Sequence, residues 1–207
     1  MPILDPSHFA REDESPDPAF YDTPRLVAHI DDAARAALTA YFTAALPANG
    51  VLLDLMASYH SHLPEGNDRG VAFGLGLNGH EMAANAQLAA SVVHDVNAIP
   101  ELPFCDAAFD ACILSVSVQY AIRPIELFRS VARVLKPGAP FLVVYANRLF
   151  PTKAVALWRG LSMMDRGRLV ALYLREAGGF SEIATLEIMT NRMEGDDVRI
   201  ARGTRQI

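Results

Sequence analysis

Residues 102–120, LPFCDAAFDACILSVSVQY, and residues 127–143, LFRSVARVLKPGAPFLV, decide the fold. The first stretch contains FDACILSV (109–116), a short apolar run typical of a strand buried on both faces of a parallel sheet. An amphipathic helix follows, and Lys136, Pro137 and Gly138 end it before a second apolar run, PFLVVYA (140–146). Strand, helix and strand in this order predict a βαβ unit. The apolar face of the helix consists of Ile125, Leu127, Phe128, Val131, Ala132, Val134 and Leu135.

Similar apolar runs precede this unit at VLLDL (51–55), VAFGLGL (71–77) and SVVHDV (91–96). Helical patterns fit residues 23–46, 79–90, 151–163 and 165–177. Thr23 with Pro24 is the expected start of the first helix, and the pair Asp31 and Asp32 is a candidate break in it. Apolar runs that alternate with helical patterns predict an α/β domain built on a parallel sheet.

The two ends of the chain have a different character. Residues 1–22 are rich in proline and acidic residues, which predicts an extended arm anchored by Phe9, Phe20 and Tyr21. At the other end, SEIATLEIM (181–189) and DVRIARGTR (197–205) flank the polar turn NRMEGD (191–196), a pattern that predicts an antiparallel hairpin. We therefore divide the chain into an arm, residues 1–22, and a single domain, residues 23–207.

Composition excludes several classes of protein. The chain has 207 residues, 51% of them hydrophobic, and a net charge of −6, which argues against a nucleic-acid partner. Cys105 and Cys112 match neither a zinc pattern nor a secreted disulfide framework, so we expect no structural metal and a reducing, cytoplasmic location. No signal peptide or membrane-spanning run is evident, and we expect no membrane partner. Oligomeric state is not predicted.

The stretch 102–120 resembles the L-P-F-x-D-x-x-F-D-x-V sequence of the class I S-adenosylmethionine-dependent methyltransferase superfamily, type 11-like, over about residues 50–205. The loops DLMASYHSHLP (54–64) and ANRLFPTKA (146–154) resemble a bacterial branch of that superfamily with a glycine-poor first motif. The resemblance implies a Rossmann-like, seven-stranded, mainly parallel sheet with an antiparallel last strand and helices on both faces. It also implies S-adenosylmethionine as the cofactor.

The first motif of the superfamily, D-x-G-x-G-x-G, aligns with residues 54–60, in which no glycine occurs. Asp54 keeps the acid, and Met56, Ser58 and His60 replace the three glycines. Because glycine lets a backbone approach a ligand closely, we expect these side chains to narrow or reshape the cofactor cleft. Asp54 fits a cofactor contact or a structural role equally well, and Ser58 either binds the cofactor or caps the following turn.

The later motifs supply further cofactor candidates by resemblance. Gly76 stands where the superfamily has the carboxylate that binds the ribose hydroxyls, and the amide of Asn78 could replace one of those hydrogen bonds. Asp95, at the end of the third strand, would accept from the adenine amino group, and Val96 would offer its backbone amide. Ser115, at the end of the fourth strand, completes the cofactor set.

Catalytic residues are less well defined, because methyl transfer depends mainly on positioning. Gln119 and Tyr120 follow the fourth strand, while Tyr21, Arg25 and His29 belong to the segment that often covers this cleft in the superfamily. Tyr21, His29, Gln119 and Tyr120 are therefore the catalytic candidates, each with a structural role as the alternative. Asn147, Arg148 and Lys153 would form either a cationic mouth or a solvated loop. His60 and His62 lack the further ligands of a metal site.

The sequence thus predicts a methyltransferase that uses S-adenosylmethionine on a small molecule. The alternative is a non-catalytic binding or scaffold protein that keeps the fold and has lost the usual cofactor loop. A nicotinamide-dependent dehydrogenase is disfavoured, because no G-x-G-x-x-G follows the first strand.

Overall fold

The computed structural model describes residues 4–66, 70–189 and 195–207. Its centre is a seven-stranded sheet in the order β3-β2-β1-β4-β5-β7-β6. The first five strands are parallel, and β7 pairs antiparallel with both β5 and β6. The predicted fold class is therefore confirmed. The strands are β1 Val51–Leu55, β2 Val71–Gly76, β3 Ala90–Val93, β4 Ala111–Ser115, β5 Pro140–Ala146, β6 Phe180–Met189 and β7 Val198–Arg205.

Helices cover both faces of the sheet, but several are shorter than predicted. The helical pattern over 79–90 yields a helix of only six residues, and no helix connects β3 to β4 through the described residues 94–110. The α-helices are α1 Asp17–Phe20, α2 Asp32–Ala45, α3 Gly79–Ala84, α4 Pro124–Val134, α5 Ala156–Arg159 and α6 Met163–Ala177, with 3-10 turns at Pro6–Phe9 and Val118–Tyr120.

The predicted start of the first long helix at Thr23 and Pro24 is wrong. The helix α2 begins at Asp32, and Asp31 is its N-cap, with a carboxylate oxygen that accepts from the backbone N–H of Ala34 at 2.8 Å. A capping carboxylate satisfies a free backbone donor and fixes the helix start. Residues 22–31 are consequently free to run across the carboxyl ends of the strands.

Alternate side chains of the buried strands pack into two hydrophobic cores, one on each face of the sheet. Leu53 and Leu55 of β1 point to the face covered by α4 and α6, whereas Leu52 packs on the other face with Leu38 and Phe42 of α2. This period-two pattern fixes the register of the strands, because a slip by one residue would exchange the two faces. The rigid sheet positions the carboxyl ends of β1, β2 and β4 at one edge.

The two ends of the chain pack onto this sheet differently. The arm is tied down by backbone hydrogen bonds from Asp13 to Thr152 (2.9 Å) and from Ala156 to Ala10 (2.8 Å). The C-terminal strands β6 and β7 form the predicted antiparallel hairpin, while residues 191–194 of its predicted turn lie outside the described residues. Within the described ranges, no helix is long and apolar enough to cross a membrane.

Candidate functional site

A cleft with a volume of about 210 Å³ lies where the carboxyl ends of β1, β2 and β4 meet residues of the arm. In an open α/β sheet the connections from β1 and β4 diverge at this point, which leaves room for a ligand. Of the catalytic and cofactor-binding candidates predicted from the sequence, only Gln119 does not line the cleft. Those that line it are Tyr21, His29, Asp54, Met56, Ser58, His60, Gly76, Asn78, Asp95, Val96, Ser115 and Tyr120.

The loop after β1 lies directly against the end of β2. Met56 takes a positive φ of 56°, and the backbone N–H of Ala57 donates to the carbonyl oxygen of Leu75 at 2.8 Å. A Cβ atom at Gly76 would lie 2.2 Å from the carbonyl oxygen of Ala57, which no side chain tolerates. The residue at 76 is therefore glycine for a steric reason, and a ribose-binding carboxylate has no room there.

The side chain of Asn78 is used entirely in structural contacts. Its Oδ1 accepts from the backbone N–H groups of His80 (2.9 Å) and Glu81 (3.0 Å), which caps α3. Its Nδ2 donates to the carbonyl oxygens of Tyr21 (2.8 Å) and Asp22 (3.2 Å). In this arrangement the amide of Asn78 holds the arm and the helix at its two ends, and the predicted hydrogen bond to a ribose hydroxyl would have to replace one of these contacts.

Glu81 is a carboxylate of the cleft that the sequence did not reveal. It is buried, accepts from Ser58 Oγ at 2.5 Å through one oxygen, and accepts from the backbone N–H of Arg25 at 2.7 Å through the other. Ser58 is thereby turned toward α3 and does not simply cap its own turn. The signal that could have revealed Glu81 is its place in the first turn of α3, where the helix dipole favours an acid.

The side chain of Asp54 lies at the bottom of the cleft, where the residue is 2% exposed. Its Oδ2 has no hydrogen-bond partner among the described residues. Burial raises the pKa of its carboxyl to about 7, and a hydrogen bond from Ser61 opposes this only partly. No arginine or lysine forms an ion pair with Asp54 within the described part of the chain. A carboxyl in this state can be ionised by a ligand that brings positive charge.

Three of the four histidines that line the cleft, His29, His60 and His62, lie near the loop after β1 and the segment before α2. The rings of His60 and His62 stack at 5.5 Å between centroids, and Arg35 donates to Nε2 of His60 at 3.0 Å. Burial lowers the pKa of His62 to about 3 and also lowers the pKa of His29 and His60, so all three are neutral near pH 7. The described residues contain no group of three or more potential metal ligands.

The other predicted cofactor residues occupy the opposite wall. Asp95 is half-buried, and its Oδ1 accepts from the backbone N–H groups of Asn97 (2.9 Å) and Ala98 (3.2 Å). Val96 is buried beside it, and the Oγ of Ser115 is buried without a hydrogen-bond partner among the residues described. The unpaired Oγ of Ser115 gives this wall capacity for a hydrogen bond to a ligand.

The catalytic candidates fall into two groups. Tyr120 and Tyr21 belong to an aromatic cluster around Phe150, in which Tyr120 stacks on Phe150 at 5.9 Å between ring centres. The hydroxyl oxygen of Tyr120 also accepts from the backbone N–H of Phe150 at 2.8 Å. Burial raises the pKa of Tyr120. Gln119 is turned inward, and its Nε2 donates to the carbonyl oxygen of Val116 at 2.8 Å. Gln119 lies outside the lining of the cleft, and its hydrogen bond to Val116 favours the structural role that was its alternative.

The suggested cationic mouth is only partly present. Lys153 is fully buried, and its Nζ donates to the carbonyl oxygen of Ser15 at 2.5 Å and lies 3.3 Å from Asp17. It therefore secures the arm. Arg148, in contrast, is exposed and lines the cleft.

Comparison with known proteins agrees with this architecture. The model of a methyltransferase domain matches residues 71–143. A stretch of 95 residues, 45% of the chain, is 50% identical to the biotin biosynthesis bifunctional protein BioHC of Teredinibacter turnerae, of which it covers 16%. The chain thus spans a small part of this curated relative.

Solved structures with low sequence identity share the fold. A putative methyltransferase of Haloferax volcanii, in complex with the Trm112 methyltransferase activator, has a TM-score of 0.61 at 17% identity, covering 85% of this chain and 95% of that one. A methyltransferase of Aquifex aeolicus has a TM-score of 0.58 at 16% identity, covering 96% and 98%. Part of the chain thus matches the methyltransferase-domain model, and its fold is that of S-adenosylmethionine-dependent methyltransferases. These matches support S-adenosylmethionine as the cofactor.

Proposed function

We propose that this protein transfers a methyl group from S-adenosylmethionine to a small molecule in the cytoplasm. The observation that carries the proposal is the set of carboxyl groups Asp54, Glu81 and Asp95, which line one cleft at the carboxyl ends of neighbouring strands. Relatives of this fold place their cofactor at such an edge. The name of the relative BioHC, which refers to biotin biosynthesis, supports a small metabolite as the substrate class.

The residues present fit this cofactor. S-adenosylmethionine supplies, when bound, a methyl group on a positively charged sulfur. The buried Oδ2 of Asp54 has no partner among the described residues and no cation beside it, so a positively charged ligand would favour the ionised carboxylate. Asp95 and Val96 would hold the adenine end, and Glu81 would take the place of the ribose carboxylate that Gly76 excludes.

The chain's own contribution to the reaction is binding, orientation and exclusion of water. The aromatic cluster of Tyr21, Tyr120 and Phe150 closes the arm side of the cleft. Within it, His29 packs edge-on against Phe150 at 5.8 Å, and burial keeps its imidazole neutral by lowering the pKa. A neutral imidazole can accept a proton from a substrate, so we assign His29 as the candidate base, with Tyr21 as a group that orients the substrate.

Titration calorimetry with S-adenosylmethionine and S-adenosylhomocysteine tests cofactor binding. Glu81→Gln and Asp95→Ala should each weaken binding by about tenfold, because each removes hydrogen bonds to a charged acceptor. Glu176→Gln, at an exposed position on α6, is the matched control and should bind as the wild type does. Absence of heat at millimolar cofactor would refute the proposal.

A non-catalytic binding protein is the second candidate. The contact between Ala57 and Gly76 favours it, since this contact replaces the usual glycine loop and ribose carboxylate together. The two candidates separate in an assay with labelled methyl donor and a library of small metabolites. Cofactor binding without any methylated product across that library would favour the second candidate.

A further inference from the structure

The arm side of the cleft carries two guanidinium groups that face no carboxylate inside it. Arg25 comes from the segment that joins the arm to α2 and Arg148 from the loop after β5, and both line the cleft beside Phe150. The cleft acids without a basic partner in the described structure, Asp54, Glu81 and Asp95, belong to the strand side, whereas Asp17 in the arm is paired with Arg11 and Lys153. The cleft is therefore divided by charge into a side that suits a cation and a side that suits an anion.

Arg25 is held firmly but is not saturated with acceptors. Its guanidinium carbon lies 4.7 Å from the ring centre of Phe20, 5.6 Å from that of Tyr21 and 5.2 Å from that of Phe150. One terminal nitrogen donates to the carbonyl oxygen of Phe20 at 3.1 Å. The other, Nη1, is buried and has no hydrogen-bond partner among the described residues, which is costly for a charged donor.

Arg148 is fixed from behind by a buried carboxylate. Its Nε donates to Oδ1 of Asp196 at 2.5 Å, and Asp196 is 1% exposed. The other oxygen of Asp196 accepts from the backbone N–H of Asp31 at 2.8 Å, and Asp31 accepts from the N–H of Asp196 in return. Both carboxylate oxygens of Asp196 thus accept hydrogen bonds, and Arg148 contributes only its Nε to them. Both terminal nitrogens of Arg148 remain available to a ligand within the described structure.

The acids nearest to these arginines are already engaged. Asp17 is bound by Arg11 (2.6 Å) and by the side-chain amide of Asn97 (2.7 Å), with Lys153 3.3 Å away. Both oxygens of Glu81 accept hydrogen bonds, from Ser58 and from the backbone of Arg25. The unused donors on the arm side are thus left for a ligand.

We propose that Arg25 and Arg148 bind an anionic group of the substrate, a carboxylate or a phosphate, with the apolar body of the substrate against Phe150. The planar guanidinium group with several donors suits both anions. This inference rests on the proposed function, because it places the substrate opposite the strand side assigned to the cofactor. The anionic group serves binding and orientation of the substrate and takes no part in bond formation.

Calorimetric titration of the full chain saturated with S-adenosylhomocysteine tests the inference. The probes are benzoate, phenyl phosphate and the neutral isostere benzamide, each at millimolar concentration. We expect one of the anions to bind at least about tenfold more tightly than benzamide, because its hydrogen bonds are charge-assisted. Tighter binding of benzoate would identify a carboxylate, and tighter binding of phenyl phosphate a phosphate. Equal binding of all three, or no binding, would overturn the proposal.

Variants locate the anion. Arg148→Gln and Arg25→Lys should each reduce anion affinity by about tenfold while leaving benzamide unaffected. Arg123→Gln, which removes an exposed arginine outside the cleft, is the matched control. Affinity for S-adenosylhomocysteine is measured in every variant. If the wild type binds S-adenosylhomocysteine but shows no anion preference, the anion site is refuted alone, whereas loss of both points to failure of the proposed function.

Discussion

A Cβ atom on Gly76 would stand 2.2 Å from the carbonyl oxygen of Ala57, so the end of β2 and the loop after β1 touch through their backbones. In the superfamily the glycines stand in that loop. Here the glycine stands in the strand opposite, and Met56 reaches the required positive φ of 56° without being glycine. The backbone of the loop after β1 still lies close to its neighbour, but the glycine that permits this contact is Gly76 in β2 and not a residue of the loop. The side chains of Met56 and His60 line the cleft without filling it.

Restoring the superfamily's acid with Gly76→Asp should therefore destabilise the protein and should not improve cofactor binding. The new Cβ meets a backbone oxygen that cannot rotate away, and we expect a loss of about 3 kcal/mol or more in the free energy of unfolding. Urea denaturation measures it. The control is Gly79→Ala, whose Cβ would make an ordinary contact at 3.4 Å with Val93, and which should change stability by less than about 1 kcal/mol. A stable Gly76→Asp protein would contradict the steric account.

Local patterns were sufficient for the strands and for part of the site. The apolar runs 51–55 and 109–116 became buried strands because period-two burial operates within a few residues. The acids Asp54 and Asp95 lie near the carboxyl ends of β1 and β3, as expected. Glu81 was missed because its role arises from Ser58 and Arg25, which lie 23 and 56 residues away. The clasp between Asp31 and Asp196 joins residues 165 apart, and no local pattern reports such a pair.

The helix predicted from Thr23 shows why the ends of a helix are harder to predict from sequence than its existence. Alanine-rich sequence allows a helix from residue 23 onward, but the carboxylate of Asp31 caps the chain at residue 32 and leaves the preceding segment to cross the cleft. There the backbone of Arg25 and the carbonyl oxygens of Tyr21 and Asp22 bind Glu81 and Asn78. Tertiary contacts thus override helix propensity in this segment.

Asp54→Asn should make the protein more stable at alkaline pH than the wild type. The folded-state pKa of Asp54 is about 7, against 3.8 for an unburied carboxyl. Between these pH values the folded protein holds a proton that the unfolded chain has lost, so wild-type stability falls as pH rises through this window. Asparagine does not titrate, and its advantage over the wild type should grow by a few kcal/mol between about pH 4 and pH 8. Urea unfolding at four pH values measures the difference.

Asp110→Asn provides a control of opposite sign. Lys136 donates to the carboxylate of Asp110 and lowers its pKa, so this group stabilises the fold at neutral pH and the contribution disappears as pH falls through its folded pKa. His62, buried and neutral, is present in all three proteins and cancels in the differences. If Asp54→Asn and the wild type keep a constant difference across the pH range, Asp54 is ionised in the folded cleft and the assignment is wrong.

The only two lysines of the chain offer the sharpest test of how the arm is held. Lys153 is fully buried, with Ser15 and Asp17 as its partners, whereas Lys136 pairs with Asp110 at a partly exposed position. Lys153→Met should cost about 3 kcal/mol, because it leaves a buried carboxylate with one cation fewer, and Lys136→Met less than about 1 kcal/mol. Hydrogen exchange should also accelerate in residues 13–21 of Lys153→Met alone.

Hydrogen exchange separates two explanations that the loss of stability in Lys153→Met leaves open. A loss of stability spread over the whole sheet would mean that Lys153 supports the domain, and the exchange rates of β1 and β4 would rise together with those of the arm. Faster exchange confined to the arm means instead that the salt bridge to Asp17 holds a cover over the cleft. In that case the cofactor should still bind to Lys153→Met, since Asp54 lies in β1 and Asp95 in the loop after β3, both outside the arm. Equal behaviour of the two lysine variants would refute the anchoring role of Lys153.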